Sequence, residues 1–190
     1  ILHRNDLVDL VVYPGVFFGA SRDCKNIFER YQQTFEKLYK YTPTRRSGPY
    51  QRRDTLMRIF EIAERAGIEV MFENKELYFP DVLLELYPEL TQNGAICPSQ
   101  PLWLDFLETK YTELFQEFPA LKGMITAPGT GESRVAISSN RCTCELCAQT
   151  TPKDWYLNVI NAMHRPIKAA GGVLAIRDFF FDRKSQTELA

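Results

Sequence analysis

The sequence has no long hydrophobic run. Its longest apolar stretch, Leu7 to Ala20, is interrupted by Asp9, Pro14 and Gly15, and falls short of the roughly 18 residues that a membrane-spanning helix needs. An excess of one charge is missing too. The 23 basic residues stand against 24 acidic ones, so no global field draws the chain to nucleic acid or to an anionic membrane. Histidine is scarce: only His3 and His164 occur, and neither has the context of a cysteine–histidine nucleophile pair. No low-complexity tract and no signal-peptide pattern are legible, and the chain opens at Ile1 rather than Met. That opening reads as a processed product or an excised fragment. Cysteine is odd in number, and three of the five crowd together at Cys142, Cys144 and Cys147, too tightly for the disulfide framework of a small secreted protein.

What is present suits one globular domain. A chain of 190 residues with 45% apolar and 25% charged residues, including 13 Phe, nine Tyr and two Trp, can bury a sizeable core. Three segments repeat one pattern, a helical stretch, a brief turn and an apolar β-prone run. Arg65-Ala66-Gly67 leads into Ile68–Phe72, Pro119 to Gly123 into Met124-Ile125-Thr126, and Ala170-Gly171-Gly172 into Val173–Ile176. Glycine suits the left-handed cap that ends a helix, and near-continuous apolar strands suit a parallel sheet covered on both faces. Trp103, Phe106, Leu107, Tyr111, Leu114, Phe115 and Phe118 recur at helical spacing, as do Trp155, Val159, Ile160, Met163 and Ile167. Thr151-Pro152-Lys153-Asp154 carries an N-cap, a first-turn proline and a capping-box-like acid, and Pro166 should bend or shorten the helix that follows. Leu56, Ile59, Phe60 and Ala63 mark a further helix, Ile27 to Tyr39 an earlier one, and Leu7 to Val12 an opening strand. Tyr41 to Pro49 reads as an exposed connection.

Alternating strands and helices predict βα units around a parallel sheet. From Val70 to Ile125 is 55 positions and from Ile125 to Ala175 is 50, well beyond the roughly 30 of a βαβ unit. The excess follows the strands, at Glu73–Gln100 and Ala127–Thr150. Long connections at strand carboxyl ends are where parallel α/β proteins build their sites. The fold expected is a partial or complete (β/α)8 TIM barrel, with residues 1–190 a single barrel region of a larger catalytic barrel.

Candidate chemistry gathers at those ends. In Ala127-Pro128-Gly129-Thr130-Gly131-Glu132-Ser133-Arg134 the glycines let backbone approach a ligand. Glu132 reads either as a partly desolvated acid able to protonate a leaving oxygen or as a solvated loop glutamate. Arg177 and Asp178 follow the last strand, where a guanidinium can grip a carboxylate or a sugar hydroxyl or brace an internal ion pair. Glu73-Asn74-Lys75-Glu76-Leu77-Tyr78 has the polar and aromatic make-up of a sugar site, and equally that of a surface loop with Tyr78 and Phe79 packing down. Substrate-binding candidates are thus Asn74, Lys75, Arg134, Arg177 and Asp178. Cys142, Cys144 and Cys147 invite a zinc site, but a structural site takes four ligands and His164 is the nearest further donor; buried thiols or a disulfide are the alternatives. Cys24 and Cys97 read as small core fillers.

The stretch from Trp103 to Phe181 resembles the α-glucuronidase family of glycoside hydrolases and related barrels of unassigned activity. The likeness is carried by Leu114-Phe115-Gln116-Glu117-Phe118-Pro119, Lys122-Gly123-Met124-Ile125-Thr126, Gly131-Glu132, and Gly171-Gly172-Val173-Leu174-Ala175-Ile176-Arg177-Asp178-Phe179. It implies a TIM barrel in which Glu132 is the general acid and Arg177 helps form the sugar site. The Cys-x-Cys-x-x-Cys loop is not part of the α-glucuronidase pattern, though it is similar to what some related barrels carry, and the family's basic carboxylates lie on later strands. The expected function is acid-catalysed cleavage of a glycosidic bond in a polysaccharide or oligosaccharide, including uronosides; the alternative is a non-catalytic carbohydrate-binding or scaffold barrel. No cofactor is expected. The partners expected are a carbohydrate substrate and further barrel strands of the parent chain, with no nucleic acid and no membrane span. The residues do not fix a compartment, an extracellular or periplasmic one being favoured.

Overall fold

In the computed structural model, which describes residues 43–79, 84, 87–130, 133–177 and 187, the glycine-led apolar runs form the strands of a parallel sheet. The elements in chain order are α1 (Pro43–Arg65), β1 (Val70–Asn74), a 3-10 turn (Pro88–Leu90), β2 (Thr91–Gln92), β3 (Ala95–Ile96), α2 (Leu102–Glu117), β4 (Leu121–Thr126), α3 (Glu145–Gln149), α4 (Pro152–Ala169) and β5 (Val173–Ile176). The sheet runs β1-β4-β5, all parallel, with Asn74 beside Thr126 and Thr126 beside Ile176 at its carboxyl edge. β2 and β3 form a separate antiparallel hairpin. Among the described residues no helix is long and apolar enough to cross a membrane.

The three long helices, α1, α2 and α4, lay their apolar stripes on the core. Leu56, Phe60 and Ala63 of α1 are buried with Phe72 of β1 and Phe118, and Phe60 lies 5.6 Å from Phe72 and 5.3 Å from Phe118 between ring centroids. Trp103, Phe106, Leu107, Tyr111, Leu114 and Phe115 of α2 join Trp155, Val159, Met163 and Ile167 of α4 in the same cluster. The expected cap of α4 is present: the Thr151 hydroxyl accepts the Asp154 N–H at 3.1 Å. Between β4 and β5 the backbones come so close that a side chain at Gly123 would put its Cβ 2.2 Å from the Val173 carbonyl oxygen. No residue but glycine fits there.

The (β/α)8 expectation, partial or complete, does not hold. The described residues carry three parallel strands in one sheet and two antiparallel strands in a hairpin, whereas closing such a barrel takes eight parallel strands and about 250 residues. Strand–helix alternation is common to open and closed parallel sheets, and here the long connections go into the hairpin and α3 rather than into further βα units. One local expectation also fails. Part of the segment read as an exposed connection, from Pro43 onward, is the start of α1, since a first-turn proline is compatible with a helix and packing of the later turns of α1 propagates order back through it. Pro166 lies in the last turn of α4, which ends at Ala169. The strand expected at Leu7–Val12 and the helix at Ile27–Tyr39 lie outside the described residues.

Candidate functional site

Polar residues gather on both faces of the sheet at its carboxyl edge. Successive strand residues point to opposite sides, so Val70, Phe72 and Asn74 face the helical layer, while Met71 and Glu73 face away; the alternating burial of β1 follows this division. Glu76, just beyond β1, is completely buried on the helical side. Its Oε1 accepts hydrogen bonds from Asn74 Nδ2 and Lys110 Nζ, both at 2.6 Å, and from the Tyr111 hydroxyl. Its Oε2 accepts the Tyr78 N–H at 3.0 Å. Lys110 and Tyr111 are supplied by α2, so the cluster ties that helix to the end of β1. Burial, reinforced by the negative charge of Glu76, holds the Tyr111 phenol well above its usual range, and Tyr111 stays a neutral donor. The Oδ1 of Asn74 and the Oγ1 of its neighbour Thr126 are buried without a partner.

On the opposite face Glu73 accepts Lys75 Nζ at 2.9 Å and the Arg177 guanidinium. Arg177 follows β5 directly, and its N–H donates to the Thr126 carbonyl at 2.7 Å. Burial disfavours the Glu73 anion, but hydrogen bonds from Lys75 and Arg177 outweigh it, and the carboxyl lies below its ordinary range. Glu113 of α2 shows the contrary case. It is buried, neither oxygen has a partner, and burial, with the Glu117 charge adding, pushes its carboxyl well up.

The connection after β4 docks onto the connection after β1. The Gly129 N–H and the Ser133 hydroxyl donate to the Glu76 carbonyl at 2.9 and 2.6 Å, and the Arg134 N–H donates to the Leu77 carbonyl at 3.0 Å. Gly129 has a φ of +71°, and a Cβ there would lie 2.6 Å from the Tyr156 hydroxyl; its closeness is to the protein's own side chain. The Arg134 guanidinium donates to the Phe79 carbonyl at 2.7 Å and lies 4.3 Å from the centre of the Phe79 ring, which sits 4.6 Å from Trp103.

That stack leads to a second cluster. The sulfur atoms of Cys97, Cys142, Cys144 and Cys147 all lie within 4.8 Å of one another, with Cys97 3.4 Å from both Cys144 and Cys147. All four are free thiols. Cys97 follows the β2–β3 hairpin, and its N–H donates to the Leu90 carbonyl at 2.8 Å. The Trp103 indole donates to the Cys97 carbonyl at 2.8 Å and the Trp155 indole to the Pro98 carbonyl at 3.0 Å. Asn140 turns back on Cys142, accepting its N–H at 2.7 Å. Cys144 is the N-cap of α3 and Cys147 lies within that helix.

The structure therefore brings Lys75 and Arg177 together through Glu73, leaves Asn74 on the other face with Glu76, and lays Arg134 on Phe79. Glu132 and Asp178 lie outside the described residues. His164, the nearest further donor in the sequence, is exposed on α4, outside the thiol cluster, and the fourth member beside Cys142, Cys144 and Cys147 is Cys97. Sequence reasoning missed Lys110 and Cys97 as members of these sites, and placed Glu76 in a polar strand-end stretch without its burial. A lysine on the apolar stripe of α2 signals a buried counter-charge, and the turn at Asn93-Gly94, both with positive φ, is the strongest short-range sign of the hairpin that delivers Cys97. Comparison of the chain with models of protein families, with curated proteins and with solved structures finds no match.

Proposed function

We propose that the chain is a carbohydrate-processing unit that cleaves a glycosidic bond, with uronosides as the substrate class. The observation that carries this reading is Arg177. Its guanidinium stands at the carboxyl edge of the parallel sheet with 45% of its side chain exposed, oriented by a buried, ionised Glu73. A planar cation fixed in this way suits a sugar carboxylate or paired hydroxyls. The flanks of Glu132 support the rest. Gly129, Ser133 and Arg134, which flank this acid in the sequence, are each pinned to the connection after β1. In the reading Glu132 protonates the departing oxygen, and a second carboxylate serves as base or nucleophile. The substrate class comes from the resemblance to α-glucuronidases and does not depend on a closed barrel.

A second reading, binding without cleavage, is favoured by one feature: both partners of Glu73 hold it as an anchor rather than leaving it to react. Reducing-end release from a panel of uronic-acid-containing oligosaccharides, paired with calorimetric binding, separates the two. Turnover that is lost in Glu132→Gln at unchanged melting temperature, with KM raised in Arg177→Ala, supports cleavage. Binding weakened by Arg177→Ala, without release, supports the second reading. Neither release nor binding across the panel overturns both.

A further inference from the structure

We propose that Cys97, Cys142, Cys144 and Cys147 together bind one zinc ion as a closed tetrathiolate site that fastens the two long strand-end connections to each other. The geometry is that of a coordination shell. Four sulfurs at about 2.3 Å from a central zinc in a tetrahedron stand about 3.8 Å apart, and the observed sulfurs stand 3.4 Å apart in the Cys97–Cys144 and Cys97–Cys147 pairs and within 4.8 Å overall. A disulfide would need sulfurs about 2.05 Å apart. The donor set is uniformly soft, with no carboxylate or imidazole among it, which selects zinc or iron over magnesium or calcium.

The support around the thiols is as specific as the thiols. Two indole N–H groups, from α2 and α4, fix the Cys97-Pro98 backbone, the Asn140 side chain fixes the Cys142 N–H, and the start of α3 spaces Cys144 and Cys147 as a Cys-x-x-Cys pair. Such outer contacts orient ligands and are part of a metal site's affinity. The four thiols come from connections 45 residues apart at their nearest members, Cys97 and Cys142, so an ion held by all of them staples the hairpin after β1 to the loop after β4. This role is independent of whether the sheet edge binds sugar.

The chain, purified under reducing, chelator-free conditions from zinc-supplemented cells, is expected to hold one equivalent of zinc by elemental analysis. Stripped of metal and titrated with cobalt(II), it should develop thiolate-to-cobalt charge transfer and the intense visible bands of tetrahedral cobalt, both abolished by added zinc. Cys97→Ser should lower zinc affinity at least tenfold, roughly the least that loss of even an outer-shell partner costs, as read by competition with a chromophoric chelator. If that variant does not fold, the cobalt spectrum of the unaltered chain still decides. Absence of both metal and thiolate-cobalt bands overturns the proposal, as does a disulfide among these cysteines in the alkylated, unreduced protein. Stoichiometric iron overturns zinc, and unchanged affinity in Cys97→Ser overturns the fourth ligand.

Discussion

The sheet edge and the thiol cluster are both partly buried collections of polar atoms, yet they are finished in different ways. At the sheet edge each carboxylate is answered within the chain: Lys110 answers Glu76, and Lys75 and Arg177 answer Glu73. At the thiol cluster four like groups converge and have mainly one another for company. Desolvated charges are tolerated when opposite groups meet with good geometry, whereas convergent identical donors acquire a partner from outside the chain. One region answers its carboxylates from within, though it leaves Asn74 Oδ1 and Thr126 Oγ1 without a partner, and the other is built around a guest.

The sharpest way to break this contrast is to remove the guest. Structural zinc contributes about 10–16 kcal/mol to zinc-finger peptides; with a core of its own to fall back on, this chain is expected to lose on the order of 5 kcal/mol when a strong chelator strips it, seen as a lowered urea midpoint. An unchanged midpoint would place the two regions in one class. Next in size is Lys110→Met, which leaves Glu76 buried without its counter-charge and should cost about 3–5 kcal/mol in chemical denaturation; a cost below about 1 kcal/mol would mean the sheet edge is not closed by its own charges.

Glu113→Met tests the rule from the other side, because Glu113 is a buried acid that nothing answers. Its carboxyl titrates above the ordinary value when folded, so its favourable contribution exists below the unfolded value and disappears as pH rises through the folded one. The variant should therefore gain about 1–2 kcal/mol near neutral pH and match the parent in acid, a difference that denaturation at two pH values reads. The smallest effect belongs to Glu73. Its folded value is depressed, so its stabilisation is present above the unfolded value and is lost as pH falls through the folded one. Arg177→Ala should flatten that acid-side loss by up to about 1 kcal/mol and leave stability above neutrality nearly unaffected by pH.

Much of this framework was legible in the residues. The apolar stripes of α2 and α4, the cap at Thr151 and the glycine-led entry to β5 are local signals, and local signals survive into the fold because burial of the same stripes enforces them, whereas Gly123 lies within β4 rather than before it. Strand count and closure were not legible, because an open parallel sheet and a barrel share one alternation of elements and differ only in pairings between distant segments. The start of α1 was obscured by Ser47-Gly48-Pro49, residues that break isolated helices but yield when the rest of the helix is docked. At the sites, Arg177 and Lys75 were found because they sit at strand ends. Cys97 was missed because its partners lie far along the chain and its context, directly after a two-residue strand, looks like core.

Trp103 and Trp155 are the chain's only tryptophans, and both point their indole N–H at the adjacent carbonyls of Cys97 and Pro98. Excitation at the red edge of the indole band, where the nine tyrosines do not absorb, therefore interrogates the surroundings of a single dipeptide rather than an average over the molecule. Its emission will brighten, dim or shift with whatever happens to that corner first, and an unfolding trace recorded by this glow will time the opening of the corner, not of the sheet.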